Sequence, residues 1–112
     1  MTVEQARKLA LALPEAVESA HMGRPDFRVR KKIFASLPDP SRLVVKLTPE
    51  QQSIMVGAEP KIFAPLKGGW GMQGWTAVSL AAVDETTMKS ALLTAWKNVA
   101  PKKLVAALEA GG

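Results

Sequence analysis

The sequence predicts an α+β domain, a two-layer sandwich whose antiparallel sheet is covered on one face by the N- and C-terminal helices. Three observations carry this. Apolar residues recur at three- and four-residue steps near both ends of the chain, as on a helix that buries one stripe. Between them, Phe27 and Val29 alternate with Arg28 and Arg30, and Leu43, Val45 and Leu47 recur at every second position, the period of a half-buried strand. The elements also come in the order helix, three or four strands, short helix, strand, helix, which segregates helices to one side of an antiparallel sheet.

Thr2 and Gln5 form a Thr-x-x-Gln capping box, and Val3, Ala6, Leu9, Ala10 and Leu13 share one stripe, so a helix begins at once and Pro14 ends it. Residues 17–22 read as a first strand, although Glu18 and Ala20 are poor strand formers. Residues 27–29 and 33–37 make a central hairpin turning at Arg30-Lys31-Lys32. That turn lacks the Gly or Asn favoured in two-residue hairpins, so a longer or bulged connection is expected. Pro38-Asp39-Pro40-Ser41 reads as a plain loop before a strand over 42–47. Thr48 and Gln51 form a second capping box, with Pro49 at the first helical position, and this short helix ends near Gly57. Residues 59–66 read as irregular between Pro60 and Pro65. A glycine-rich loop over 68–75 leads to a strand over 76–80. Asp84 caps the last long helix, whose apolar face is Met88, Ala91, Leu92, Ala95, Trp96 and Val99. Pro101 either restarts this helix or kinks it, and Leu104, Val105 and Leu108 carry a final turn or two.

At 112 residues the chain reads as one domain, 1–112, with no repeat, linker or low-complexity segment. Hydrophobic content of 47% and charged content of 22% are ordinary for a globular protein. No cysteine is present, which excludes disulfides, thiol nucleophiles and thiolate metal sites. The first residues lack a basic, then long apolar, leader, and no apolar run approaches the roughly 18 residues of a membrane span. The expectation is a cytoplasmic, monomeric protein without a membrane partner.

Positive charge is concentrated in the hairpin region. Arg24, Arg28, Arg30, Lys31 and Lys32 stand against the single acid Asp26, giving +4 of the chain's net +5. Alternation puts Phe27 and Val29 on one face and Arg28 and Arg30 on the other. Those guanidinium groups are either solvated and paired with acids, Glu18 being the obvious cross-strand candidate, or left free to fork on phosphates.

Chemistry beyond binding finds few residues. His21 is the one histidine, with no second histidine or cysteine to complete a hydrolytic or metal site, so no enzyme, cofactor or metal is expected. Residues 69–74 match Gly-x-Gly-x-x-Gly, but a proline-bounded segment precedes them, a strand follows, and the position 20 beyond Gly74 is Thr94 rather than an acid. The dinucleotide fingerprint is therefore rejected. Trp70 and Trp75 in this stretch are either core residues or, for Trp70, a partly exposed stacking surface. Trp96 belongs to the core.

Several of these motifs together resemble the MmcQ/YjbR family. They are His21-x-Gly-Arg-Pro-x-Phe-Arg, Lys32-Ile-Phe-Ala, Val45-Lys46-Leu47 before a short helix, the 68–75 loop, and Ala95-Trp96-x-x-Val99-Ala100-Pro101-Lys102-Lys103. The resemblance implies a CyaY-like fold, related in shape to frataxin, with a double-wing arrangement often labelled DNA-binding by fold analogy. Relatives usually place a glycine turn where Lys31 stands. Frataxin-type iron binding is disfavoured, because the first helix carries Arg7 and Lys8 between Glu4 and Glu15 instead of a carboxylate ridge.

The leading expectation is a non-enzymatic anion-binding domain that contacts the DNA phosphate backbone weakly and with little sequence preference. Arg28, Arg30, Lys31 and Lys32 form one wing with Arg24 beside it, Lys67 and Trp70 the second, and Lys102 and Lys103 an accessory contact if Pro101 opens a new helix. The alternative is a protein- or small-ligand-binding module in which His21, Arg24, Trp70 and Trp75 line a pocket for an anionic planar molecule.

Overall fold

The computed structural model describes residues 1–111. Its first helix, α1 (Val3–Leu11), opens on the expected capping box: Thr2 Oγ1 accepts from the Gln5 backbone at 3.1 Å, and Gln5 Oε1 accepts from the Thr2 backbone at 2.8 Å. Four strands follow, β1 (Val17–His21), β2 (Arg24–Val29), β3 (Lys32–Asp39) and β4 (Arg42–Lys46). Then come α2 (Pro49–Ala58), β5 (Phe63–Pro65), α3 (Gly68–Met72), β6 (Trp75–Ser79), α4 (Glu85–Val99) and α5 (Lys102–Gly111). The six strands form one antiparallel sheet in the order β1-β2-β3-β4-β6-β5.

One face of the sheet is the core. Phe27, Val29, Phe34, Ala35, Leu43, Val45 and Val78 point from it into a layer built by α4, through Met88, Ala91, Leu92, Ala95 and Trp96. Ala6 and Ala10 are the buried residues of α1, and their small side chains let that helix lie close against α4. Trp96 is fully buried, as expected, and its indole N–H donates to the Pro14 carbonyl at 3.0 Å. This is the CyaY-like arrangement: two layers, with the terminal helices on one face of an antiparallel sheet. Among the described residues no helix is long and apolar enough to cross a membrane.

Five local expectations are corrected. The central hairpin turns tightly on two residues, Val29 pairing directly with Lys32, because Arg30 and Lys31 both adopt positive φ (50° and 72°) despite their side chains. The expected irregularity lies deeper in the ladder, where the register shifts between Phe27 and Arg28. Residues 38–41 are not a plain loop: β3 continues to Asp39, which pairs with Arg42 across a turn at Pro40-Ser41. The segment read as irregular contains β5, whose Pro65 is tolerated because the strand is an edge with β6 as its one partner. The glycine loop contains α3. Pro101 does open a new helix, since Leu104 and Val105 donate to its carbonyl, but α5 runs ten residues instead of a final turn or two.

Candidate functional site

Among the described residues no helical layer covers the second face of the sheet, and its side chains set its relief. Ser19, Asp26, Ser36, Val44, Ala77 and Ala64 are successive register partners across all six strands, so they form one row on this face. The rows on either side carry larger groups, His21, Arg24 and Arg42 in one, Arg28, Ile33 and Trp75 in the other. A row of small residues between rows of large ones makes a trough. It encloses a cleft of about 360 Å³ whose lining includes His21, Arg24, Asp26, Ser36, Val44, Trp70 and Trp75.

The indoles close one end. Trp75 opens β6, while Trp70 stands on α3, 63% exposed, with the rings edge-to-face at 6.3 Å between centroids and 74° between planes. Lys46 Nζ lies 5.2 Å from the Trp75 centroid and donates to the Gln73 carbonyl at 2.8 Å. Of the two arrangements open to Trp70, the exposed one is found.

This corner is held by backbone packing. A Cβ on Gly71 would sit 1.8 Å from the Leu66 carbonyl oxygen, and one on Gly74, at φ +104°, would sit 1.9 Å from that of Leu47. These glycines therefore serve close approach and not flexibility. Gln52 on α2 adds a tie between elements distant in the chain. Its Nε2 amide lies within 3.2 Å of the Gly71 carbonyl, the Trp75 carbonyl and the Thr76 hydroxyl.

Charges on the trough mostly cancel in pairs. Arg28 forks on Asp26, Nε to Oδ1 at 2.8 Å and Nη2 to Oδ2 at 3.0 Å, and Asp26 is only 1% exposed on the floor. Arg42 Nε donates to Asp39 Oδ2 at 3.0 Å. Asp39 also accepts from the Ser41 hydroxyl and backbone N–H, and these bonds, with Arg42, hold its pKa at about 2. Arg24 makes no ion pair with any described residue. It is the lining cation left without a carboxylate.

The hairpin guanidinium groups are thus paired. Arg30 forks on Glu15 beyond the end of α1, and this contact lowers the Glu15 pKa. Glu18, the cross-strand candidate, is taken by Arg7 instead. Lys31, Lys32, Lys67, Lys102 and Lys103 form no ion pair with a described residue. They do not share one place: Lys31 and Lys32 are at the β2–β3 tip, Lys67 precedes α3, and Lys102 and Lys103 begin α5 on the helical side. His21, Arg24, Trp70 and Trp75 do meet, all lining one cleft. Sequence reading missed Asp26, Ser36, Arg42 and Val44 as lining residues. Strand register decides that floor, since Asp26, Ser36 and Val44 are cross-strand partners on β2, β3 and β4. Among the described residues no group of three or more His, Asp or Glu side chains is placed to hold a metal ion.

The fold and cleft define a small α+β protein with a helical layer on one side of its sheet and an open, aromatic-edged trough on the other. The YjbR family model matches residues 11–98, and the chain belongs to that family. Among solved structures it is similar to the Deinococcus radiodurans protein DR2400, described as a DUF419 domain. That likeness has a TM-score of 0.75 at 24% sequence identity, over 91% of this chain and 80% of the other, and it establishes the shared fold. No curated protein matches the chain.

Proposed function

We propose that this chain is a binding module and that its trough takes a planar anionic ligand, the ring against Trp70 and Trp75 and the negative charge on Arg24. One observation carries the reading: an uncompensated guanidinium and an exposed indole line the same cleft, whereas the other trough arginines are already held by carboxylates. Apolar walls with a few convergent polar groups are the usual make-up of a small-molecule site. Binding, and not catalysis, fits the residues, because His21 has no hydrogen-bonded carboxylate or hydroxyl among the described residues to act with. The test is calorimetric titration with a panel of aromatic carboxylates and phosphates, some charged on the ring and some on a side chain of varied length, using the wild type, Trp70→Ala and Arg24→Ala. Saturable binding weakened at least about tenfold by each substitution supports the proposal. Equal affinity in all three proteins, or no binding by the wild type, contradicts it.

A second reading, contact with the DNA backbone, draws on Lys31 and Lys32 at the tight hairpin tip, with Lys67, Lys102 and Lys103 as outlying contacts. Its wing is weaker than charge counting implies, since Arg28 and Arg30 are committed to Asp26 and Glu15. It predicts weak, sequence-tolerant binding that falls steeply with salt and is reduced by Lys31→Ala/Lys32→Ala. Salt-independent affinity for duplex and single-stranded DNA contradicts it.

A further inference from the structure

Resting on the reading of the trough as a site for a planar anion, we infer that its ligand is bipartite: an aromatic ring and one anionic group held apart by an uncharged spacer. Trp75 is on β6 and Arg24 on β2, with β3 and β4 between them. Three steps at roughly 4.8 Å each separate those strands by about 14 Å, a span that inward-leaning side chains shorten but do not close. The floor between the ends is Ser36 and Val44, one short hydroxyl and one methyl pair, which suit a spacer and offer nothing to a charge.

The carboxylate of Asp26 sharpens the requirement. It lies on the floor beside Arg24, two residues along the same strand face, and Arg28 occupies both its oxygens. The Asp26–Arg28 pair and the Asp39–Arg42 pair each sum to zero, so the lining offers one net positive charge, at Arg24. A second anionic group placed mid-ligand loses its water and finds no free cation on this floor, because Arg28 is held by Asp26 and Arg42 by Asp39. The ligand class is therefore an aryl acid whose anionic group stands off the ring on a flexible neutral linker.

The experiment is calorimetric titration of the wild type with ω-(2-naphthyl)alkanoates whose spacer runs from zero to about eight methylenes. Each is paired with the matching uncharged alcohol, and one mid-length member carries a second carboxylate on its spacer. The expected result is an affinity maximum at intermediate length, about tenfold or more above the shortest acid. The maximum disappears in Arg24→Ala and for the alcohols, and the dicarboxylate binds more weakly than its parent. Affinity that is flat or greatest at the shortest spacer, or unharmed by the extra carboxylate, overturns the bipartite ligand while leaving the trough a site for compact anions. If no naphthyl acid binds but a compact heteroaromatic acid does, the inference fails alone. If neither binds, the site reading fails with it.

Discussion

Asp26 and Arg28 lie two residues apart on β2, face the same side of the sheet, and are joined by both carboxylate oxygens at 2.8 and 3.0 Å. Their environments differ: the Asp26 side chain is 2% exposed and that of Arg28 is 28% exposed. The pair is therefore asymmetric in what its loss exposes. Arg28→Met strands the buried Asp26 carboxylate, the costlier of the two single losses. Asp26→Asn leaves a guanidinium that can turn to water, so its loss is smaller. The double substitution Asp26→Leu/Arg28→Met removes both charges and recovers most of the stability lost in Arg28→Met. Urea denaturation of the three variants checks the order, and equal losses in the two single variants contradict it.

The glycines of the α3–β6 corner separate by what surrounds them. Gly71→Ala and Gly74→Ala drive a methyl group into the Leu66 and Leu47 carbonyls, and each is expected to lose at least about 2 kcal/mol. Gly69 is helical with nothing within 4 Å of its added Cβ, so Gly69→Ala is expected to gain roughly 0.5–1 kcal/mol. Thermal melts distinguish the two behaviours. Losses of the same size at all three positions contradict the packing argument.

At the hairpin tip, Arg30 and Lys31 hold left-handed backbone that costs an ordinary residue roughly 1–2 kcal/mol. Lys31→Gly relieves that strain and is expected to stabilise the protein by about 1 kcal/mol. It also removes one tip charge, so any DNA affinity and its salt slope fall while affinity for an aryl acid is unchanged. A variant that gains no stability and loses trough binding contradicts both statements.

Asp39 sets part of the acid limb of stability. Its carboxyl titrates at 3.8 when unperturbed and at about 2 in the fold, where the Ser41 hydroxyl and N–H, then Arg42, favour the charged form. A depressed folded pKa stabilises the native state above the unfolded value, and that contribution drains away as pH falls from 3.8 toward about 2. In Asp39→Asn the melting temperature is lower at neutral pH and falls less steeply across that window. Glu15 and Asp84 are lowered in the same direction, so some acid limb persists. An unchanged slope in Asp39→Asn contradicts the assignment.

Features encoded by neighbours in the chain were legible in the sequence. The Thr2/Gln5 and Thr48/Gln51 boxes and the Asp84 cap each need only four residues, and all three form. What escaped depends on distant partners. Arg30 and Lys31 accept a turn suited to Asn-Gly in a fold where Arg30 is anchored to Glu15, itself at φ 57°. The α3 helix forms from five residues, three of them glycine, that no propensity favours, because Leu66, Leu47 and Gln52 fix that corner from outside. The trough was half legible. Its ends, His21 and Arg24 on one side and Trp70 and Trp75 on the other, stood out as residue types, whereas its floor of Asp26, Ser36 and Val44 depends on strand register.

The trough itself is tested most directly by the chain's three indole N–H resonances, followed by NMR while a naphthyl alkanoate of intermediate length is added. Trp96 donates its N–H to Pro14 inside the core and serves as the internal control. The Trp70 and Trp75 signals are expected to shift together and saturably, the Arg24 side-chain signal to move with them, and Trp96 to stay still. Shifts confined to Lys31 and Lys32 at the hairpin tip, or no movement of either trough indole at saturating acid, contradict ligand binding in the trough.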